Sequence, residues 1–389
     1  MTVMEQFNAR PRDMDFVHTG AGTLAGRYLR RFWQPVFRAQ DLPPGRAFPL
    51  RIMGEEFTLY RGQSGTAHVV GPRCAHRRTQ LSVGWVEDDC IRCFYHGWKY
   101  DGSGQCVEQP AERKSFAAEV RIPSYPTVEY LDLIFAYLGD GEPPELPRYP
   151  ELEAEGVLEA ETFVRACNYF NDLDNACDPY HVAFVHQGSR INVNAAIDPA
   201  NIVPEESEFG ITIKLRRTIE GGGVRLNLFG MPNVQLLRLP SLDPDETMWR
   251  EFISWRVPAD DDHYVSFNLN LVHITGDAAV RFRRKRAEAL AKAPRSTMEL
   301  AQLVLSGKAT IDDLRGKVPD VVRLQDDVVL TAQGAIPDRE NEYLGRSDVA
   351  IVLLRKIWRR ELQALAAGKP LKPWKKPPDL VATNGLAKL

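Results

Sequence analysis

The residues of this chain best suited to chemistry form two Cys–His pairs. Cys74 and His76 lie two positions apart, and Cys93 and His96 follow after a gap of sixteen residues. Each pair is compact enough to sit on one loop, and the gap lets the two loops face each other. Two thiolates and two imidazoles can hold one zinc ion or one [2Fe–2S] cluster. Zinc fingers keep their two Cys together and their two His together, so the mixed pairs favour the cluster.

The elements that position these pairs are predicted to be short β-strands. From about residue 32 to residue 140, short runs that alternate with period two are separated by Gly, Pro and polar clusters. Both Cys–His pairs fall between such runs, as metal-binding loops do. The Pro- and acid-rich stretch 139–147 predicts a domain boundary. Beyond it, residues 201–275 indicate antiparallel strands, and the turn residues 258–262 predict a hairpin between two of them. Helical periodicity dominates from about residue 276.

A second group of candidate metal ligands follows the boundary. Asp174, Asp178, His181 and His186 lie within one short stretch, and two imidazoles preceded by carboxylates suit a metal that takes nitrogen and oxygen ligands. The five-residue spacing of the two His exceeds one helical turn, so His186 is expected where a helix loosens or ends. Two His on one side of a helix are also often structural, and the pattern alone leaves that alternative open.

The sequences around both groups resemble one protein family. Residues 71–77 and 93–100 closely resemble the two cluster-binding loops of Rieske [2Fe–2S] proteins. The second group resembles the acidic-x3-Asp-x2-His-x4-His stretch of Rieske non-haem iron oxygenases, and the resemblance covers nearly the whole chain. Respiratory Rieske carriers add one Cys per loop, at positions that correspond to Thr79 and Tyr95, so their disulfide is missing here.

The resemblance extends to residues 323–348, which look like the Gln-Asp helix and the following Gly-x-Ile-x-Asp-Arg run of the phthalate dioxygenase-like branch. It implies that Asp326 completes a mononuclear iron site with His181 and His186. Asp327, about 100° around the helix, is the alternative third ligand.

The resemblance also implies roles for the other residues of both groups. Cys74, His76, Cys93 and His96 would hold the [2Fe–2S] cluster. Asp178 would be an electron-transfer bridge, because the family aspartate links a His iron ligand, here His181, to the Rieske His of a neighbouring chain, here His96. Asp174 is better interpreted as a supporting residue than as a ligand.

The fold implied by the resemblance is α+β, with a small all-β Rieske domain and a helix-grip-like catalytic domain of antiparallel sheet flanked by helices. We expect an N-terminal segment at residues 1–32 that packs on the catalytic domain, and the Rieske domain at residues 33–145. The mononuclear iron domain is expected at residues 146–370, and a C-terminal tail at residues 371–389.

The function implied is that of a terminal oxygenase that uses O2 to hydroxylate or O-demethylate an aromatic, carboxylate-bearing substrate. Electrons would come from NAD(P)H through a separate flavin- and iron–sulfur-containing reductase, directly or through a ferredoxin, since no Gly-x-Gly-x-x-Gly follows a strand here. The branch assembles as homotrimers. A cis-dihydroxylating dioxygenase is the main alternative. A Rieske electron carrier would not need the residues beyond Pro147, and a ligand-binding protein with a vestigial metal site is a further alternative.

Composition limits the remaining function classes. The 389-residue chain has a net charge of −3, which gives no reason to expect nucleic acid as a partner. It contains no run of 18 or more apolar residues, so we expect no transmembrane helix. Six Cys are too few for a disulfide scaffold and the N-terminus lacks a signal-peptide pattern, which together favour a bacterial cytoplasmic location.

Overall fold

The structure is a computed structural model, and it describes residues 15–187, 189, 198, 201–216, 224–240, 249–291, 296–315 and 317–376. Residues 1–14 and 377–389, which belong to the predicted N-terminal segment and C-terminal tail, lie outside this description. The described residues combine antiparallel sheets with helices, which confirms the α+β prediction.

The first half of the chain forms three small antiparallel sheets, ordered β1-β11-β10, β2-β3-β4-β9 and β5-β6-β7-β8. Their strands are β1 (Gln34–Arg38), β2 (Ala47–Ile52), β3 (Glu55–Arg61), β4 (Ala67–Val70), β5 (Trp85–Glu87), β6 (Cys90–Arg92), β7 (Lys99–Tyr100), β8 (Cys106–Glu108), β9 (Ser124–Tyr125), β10 (Thr127–Tyr130) and β11 (Leu133–Ala136). One Cys–His pair lies between β4 and β5, and the other lies between β6 and β7. Both pairs therefore sit on connections between strands, as predicted.

A large antiparallel sheet, ordered β12-β18-β17-β16-β15-β14-β13, forms the centre of the second half. Its strands are β12 (Val157–Arg165), β13 (Ile202–Glu206), β14 (Gly210–Arg216), β15 (Val224–Gly230), β16 (Val234–Pro240), β17 (Trp249–Pro258) and β18 (Tyr264–Val272). The predicted hairpin is present as β17 and β18. The sequence did not indicate β12, since its residues alternate poorly between apolar and polar, yet β12 pairs with β18 along its whole length.

Helices border this sheet. They are α1 (Leu24–Leu29), α2 (Tyr169–Ala176), α3 (His181–Val185), α4 (Gly276–Ala291), α5 (Thr297–Leu305), α6 (Ile311–Leu314), α7 (Val321–Ala332) and α8 (Val349–Ala366). Helix α2 begins where the Asn168 side chain accepts from the Phe170 N–H, and α7 begins where Asp320 accepts from the Arg323 N–H. These two N-caps fix the start of α2, which carries Asp174, and of α7, which carries Asp326.

The chain termini of the described region pack against this core. Phe16 stacks on Phe170 of α2 with 4.1 Å between ring centroids, and the Trp374 indole donates to the Tyr28 hydroxyl over 3.0 Å. Trp358 of α8 is fully buried against the same aromatic group. Among the described helices, none is both long enough and apolar enough to cross a membrane.

Candidate metal centres

The two Cys–His loops have the same backbone hydrogen bonds. In each loop the Cys N–H donates to the carbonyl five residues later, over 2.9 Å for Cys74 and 2.8 Å for Cys93. The N–H four residues after the Cys donates back to the Cys carbonyl. That fourth residue has a left-handed backbone in both loops, with φ of 62° at Arg78 and 76° at Gly97. The sequence therefore builds one tight turn twice, and each turn presents a Cys and a His on the same side.

The four side chains converge between the loops. Both thiols are buried, and the His76 and His96 rings lie 4.6 Å apart between centroids. The Nδ1 atom of His96 is buried without a hydrogen-bond partner. Burial raises the pKa of the Cys93 thiol, while the backbone N–H groups of Tyr95 and His96 oppose that rise by pointing at the sulfur. A positively charged iron–sulfur group would satisfy both the orphaned nitrogen and the sulfurs, so the residues fit a [2Fe–2S] cluster.

A buried tyrosine supports the first loop. The Tyr100 hydroxyl accepts from the Ala75 N–H at 3.1 Å and lies 3.2 Å from Cys74 Sγ. Either of these two atoms could donate to the other, but a deprotonated Cys74 that holds a cluster could only accept, and the Tyr100 hydroxyl would then be the donor. A hydrogen bond to a cluster sulfur is one of the features that set the reduction potential.

The second site brings His181, His186 and Asp326 together, with one ligand atom from each residue lying within 4.8 Å of the others. Asp326 Oδ1 is 3.3 Å from His186 Nε2 and 4.0 Å from His181 Nε2. This oxygen is buried without a well-directed hydrogen bond, which is the environment of an atom that a cation would satisfy. Two nitrogens and one oxygen on one side fit a divalent iron with open positions.

Charge stabilises this arrangement. Burial alone would raise the pKa of the Asp326 carboxyl, but the two imidazoles and Arg165 lower it to about 2. Burial correspondingly disfavours the charged His186 imidazole, and the Asp326 carboxylate more than compensates, so the pKa of His186 is raised. The pocket therefore holds an ionised carboxylate beside two nitrogen donors.

Two separate helices position the three side chains. His181 is the first residue of α3 and His186 follows its last residue, as the five-residue spacing predicted. Asp326 lies on α7, 140 positions beyond His186. The Asp178 carboxylate accepts from the N–H groups of Tyr180 and His181 at 2.8 and 3.3 Å and so begins α3. Burial raises the pKa of this carboxyl, and the His181 imidazole opposes the rise.

The alternative third ligand, Asp327, points elsewhere. Arg165 of β12 donates to Asp327 at 2.7 Å and to Asp172 of α2 at 2.9 Å. The Tyr264 hydroxyl joins the same group through Asp172. Arg165 and Asp327 are almost completely buried, so this cluster of charges ties α2 and α7 to the sheet. Asp327 is paired with Arg165, whereas Asp326 lies within 4.0 Å of both imidazoles.

Asp174 is held away from the imidazoles by two arginines. Its carboxylate pairs with Arg355 of α8 at 2.7 Å and with Arg339 at 3.2 Å. Arg339 belongs to the Gly-x-Ile-x-Asp-Arg run and also donates to Asn171. These contacts bind α2 to the segment that follows α7, which is a supporting arrangement.

Sequence reasoning missed three residues of these sites, namely Tyr100, Arg165 and Gln325. Gln325 Oε1 lies 3.0 Å from His186 Nδ1. Its position directly before Asp326 in the Gln-Asp helix was a usable signal, because a residue next to one metal ligand can contact another ligand of the same metal, here His186. No local pattern marks Arg165 or Tyr100, whose partners lie far along the chain.

The face of the large sheet that carries Arg165 and Tyr264 is polar as well as buried. Neighbouring strands β17 and β18 place Ser254 opposite Asn268 on this face. The Ser266 hydroxyl donates to Asn268, and Asn227 of β15 has a buried amide oxygen without a partner. The interior beside the helices that carry the site therefore offers neutral hydrogen-bonding groups.

Comparison with known proteins identifies a Rieske domain in the first half of the chain and relatives along most of its length. The Rieske [2Fe-2S] domain family matches residues 32–126. The oxygenase subunit of 5,5'-dehydrodivanillate O-demethylase from Sphingobium sp. (strain NBRC 103272 / SYK-6) is 28% identical, over 90% of this chain and 79% of that protein. The oxygenase subunit of phthalate 4,5-dioxygenase from Pseudomonas putida is 27% identical, over 88% of this chain and 84% of that protein.

The solved structures agree at the level of the fold. The terminal oxygenase of carbazole 1,9a-dioxygenase from Novosphingobium sp. KA1 superposes with a TM-score of 0.61 at 22% identity, covering 88% of this chain and 93% of that one. Its order of a small β domain followed by a sheet-rich catalytic domain is the one described above. The family's cofactors are a Rieske [2Fe–2S] cluster and mononuclear iron, with O2 as co-substrate. The chain therefore belongs to the Rieske non-haem iron oxygenases, as an oxidoreductase of the terminal oxygenase subunit type.

Proposed function

We propose that Cys74, His76, Cys93 and His96 hold the [2Fe–2S] cluster, and that His181, His186 and Asp326 hold the mononuclear iron. The observation that carries the second assignment is the convergence of two imidazole nitrogens and one orphaned carboxylate oxygen within 4.8 Å. The repeated backbone turn and the orphaned His96 Nδ1 support the first. Bound there, the cluster would supply single electrons and the iron would supply open positions for O2.

The chain's own residues prepare the iron site. The Asp178 backbone carbonyl lies 2.5 Å from His181 Nδ1, and since a carbonyl can only accept, His181 keeps its proton on Nδ1. Its Nε2 lone pair is then free to face Asp326. The Arg165 network holds α7 against the sheet, so that the Asp326 carboxylate stays beside both imidazoles.

We assign to Asp178 the electron-transfer bridge between His181 and the His96 of a second copy of this chain. One Asp178 oxygen caps α3, and 22% of the side chain remains exposed, so the carboxylate can meet a neighbour. The surfaces are complementary. The cluster loops expose Phe94, Tyr95 and neighbouring arginines. The segment after α7, which borders Asp178 through Asp348, exposes acidic side chains together with Tyr343.

Such a contact joins two different surfaces of identical chains, and a head-to-tail contact closes into a ring when the rotation permits it. We therefore propose a homotrimer, in which each cluster serves the iron site of the next chain. A single chain would leave the apolar side chains of Trp85, Phe94 and Tyr343 in water, which a ring would cover.

The substrate is proposed to be a small aromatic compound that bears a carboxylate, with hydroxylation or O-demethylation as the reaction. One similar protein is named as part of a 5,5'-dehydrodivanillate O-demethylase, and another as part of a phthalate 4,5-dioxygenase. Dehydrodivanillate and phthalate are both aromatic carboxylates. The second name keeps cis-dihydroxylation as the alternative outcome. The buried neutral groups Asn227, Ser254 and Asn268 could anchor polar substituents without a fixed charge.

The electron source is proposed to be a separate reductase that oxidises NAD(P)H with a flavin and an iron–sulfur centre, acting directly or through a ferredoxin. Those arginines of the cluster loops that the neighbouring chain leaves uncovered would attract an acidic partner of this kind. A bacterial cytoplasmic location, where such reductases have their pyridine nucleotide, stays part of this proposal.

Single turnover with labelled oxygen tests the proposal. The protein is reduced chemically, freed of reductant and exposed to ¹⁸O2 with a panel of aromatic acids and aryl methyl ethers. Mass spectrometry should find one labelled atom in the product for hydroxylation, and loss of a methyl group as formaldehyde for O-demethylation. Two labelled atoms on adjacent carbons would instead establish cis-dihydroxylation. Absence of any oxidised product from a protein with full iron content would contradict the oxygenase assignment.

A further inference from the structure

The two imidazoles of the iron site are held through Nδ1 in different ways. His181 Nδ1 faces the backbone carbonyl of Asp178, which can only accept a hydrogen bond. His186 Nδ1 lies 3.0 Å from Oε1 of the Gln325 side chain, an amide that can accept through oxygen or donate through nitrogen. The tautomer of His181 is therefore fixed by the backbone, whereas that of His186 depends on how one side chain is oriented.

The orientation matters because His186 has a competing partner. Its Nε2 lies 3.3 Å from Asp326 Oδ1, so a proton on Nε2 would be attracted to that carboxylate. In that tautomer the nitrogen has no lone pair for a metal, and Nδ1 would accept from the Gln325 nitrogen instead. In the orientation observed, Oε1 accepts and the Gln325 nitrogen is buried without a partner. An unpaired buried amide nitrogen is unfavourable, which points to a gain elsewhere in the site.

We propose that Gln325 is a positioning residue for the mononuclear iron, whose Oε1 holds His186 in the tautomer that leaves Nε2 free to bind metal. The inference rests on the proposed role of His186 as an iron ligand. One turn of α7 would then supply both a ligand, Asp326, and the residue that prepares another ligand. Hydrogen-bond partners of metal-bound imidazoles generally raise metal affinity about 10–100-fold.

Two variants of equal length separate hydrogen bonding from packing. Gln325 is only 2% exposed, so a purely packing role would be kept by Gln325→Met, which fills the same space without an acceptor. Gln325→Glu keeps an oxygen acceptor at the same position. Gln325→Asn keeps the amide but is one methylene shorter, and it provides a polar second variant should the Met variant fold poorly. Thr331→Val on the same helix is the matched control, since the Thr331 hydroxyl is buried without a partner.

The experiment is an anaerobic Fe(II) titration of protein that keeps its cluster but has lost the mononuclear iron to a chelator. We expect Gln325→Met and Gln325→Asn to weaken Fe(II) binding about 10–100-fold, and Gln325→Glu to stay within about threefold of the unmodified chain. Thr331→Val should bind as the unmodified chain does. Cluster absorbance reports that the cluster domain of each variant is folded, and far-UV circular dichroism reports that the rest of the chain is.

Two results would overturn the inference. One is a Gln325→Met variant that binds Fe(II) as tightly as the unmodified chain. The other is a Gln325→Glu variant as weak as Gln325→Met, because an acceptor would then make no difference. Failure of the proposed function looks different: the unmodified, chelated protein would then take up no Fe(II) at all, whatever residue occupied position 325.

Discussion

The cluster loops and the iron triad both bring two imidazoles within about 5 Å of each other, but the protein builds them by different means. The cluster ligands come from two short turns, each shaped by backbone hydrogen bonds. The hairpin of β5 and β6 joins the two turns. The triad joins α3 to α7 across 140 positions. The first site is thus local, whereas the second exists only when the catalytic domain has folded.

The surroundings of the two sites differ in the same way. The cluster loops place His76 and the aromatic tip of the second loop at the surface, with neutral backbone groups around the sulfurs. The triad is enclosed by buried charges, of which Arg165 and Asp327 are the central pair. A site at a loop tip can exchange electrons with a partner, while a site among buried charges can exclude water from a reaction. The comparison predicts that damage to one site leaves the other intact.

The largest effect should follow removal of the triad carboxylate. Asp326→Ala deletes the only anionic member of the triad, and turnover should fall at least about 10³-fold because a bound metal contributes several kcal/mol to such chemistry. The absorbance spectrum of the cluster should be unchanged. Asp312→Ala, at a carboxylate that is 83% exposed, should leave both readouts as they are. If Asp326→Ala lost its cluster as well as its activity, the two sites would not be independent of each other.

Next in size is the removal of the buried arginine. Arg165→Met would leave Asp327 buried without its cation and Asp172 with the more distant Arg256 alone, and the free energy of unfolding of the catalytic domain should fall by about 3–5 kcal/mol. Chemical denaturation, followed by tryptophan fluorescence and cluster absorbance, measures it. The exposed Arg284→Met change should alter stability by less than about 0.5 kcal/mol. Equal stability of both variants would mean that the charge network does not hold α7.

A smaller effect is expected where the two sites are proposed to meet across chains. Asp178→Asn keeps an oxygen to cap α3 but removes the negative charge, and steady-state turnover should drop about 10–100-fold with the cluster and the mononuclear iron both present. Asp348→Asn, at a carboxylate beside it, serves as the control for surface charge. If Asp178→Asn turned over at the normal rate, the bridge between chains would be wrong.

The smallest effect concerns the cluster alone. Tyr100→Phe removes the hydroxyl that would donate to a cluster-bound Cys74 Sγ, and the reduction potential should fall by about 50 mV, which corresponds to about 1 kcal/mol for one electron. Protein-film voltammetry measures the shift. Tyr95→Phe removes a hydroxyl that accepts from Arg77 at the surface, so its potential should stay unchanged. Equal reduction potentials in both variants would show that the Tyr100 hydroxyl does not influence the cluster.

The cluster loops are local in sequence and the triad is not, and this difference decides how much of each could be predicted from the sequence. The cluster loops were recognisable because ligands, turns and flanking strands occupy about thirty consecutive residues, from Gly71 to Tyr100. The hairpin of β17 and β18 and the position of His186 after α3 were also predictable from periodicity and spacing, whereas the α+β class followed from the resemblance. Asp326 could be proposed only through resemblance to a family, since nothing local distinguishes it from Asp327.

What could not be predicted depends on tertiary contacts. Strand β12 lacks a clear alternation because its face toward the helices carries charges, Glu161 and Arg165, that find partners on α4 and α7. Tyr100 gives no sign in sequence that its hydroxyl reaches a sulfur 26 positions earlier. Long-range polar contacts of this kind leave no periodic pattern, so only the folded chain reveals them.

Metal analysis shows whether one chain carries two separate iron centres. Iron and acid-labile sulfide are measured per chain in the purified protein and in Asp326→Ala. We expect three irons and two sulfides per chain in the unmodified protein, and two of each in the variant, because a Rieske cluster contains two irons and two sulfides. Two irons in the unmodified protein, or three in the variant, would contradict a mononuclear site at His181, His186 and Asp326.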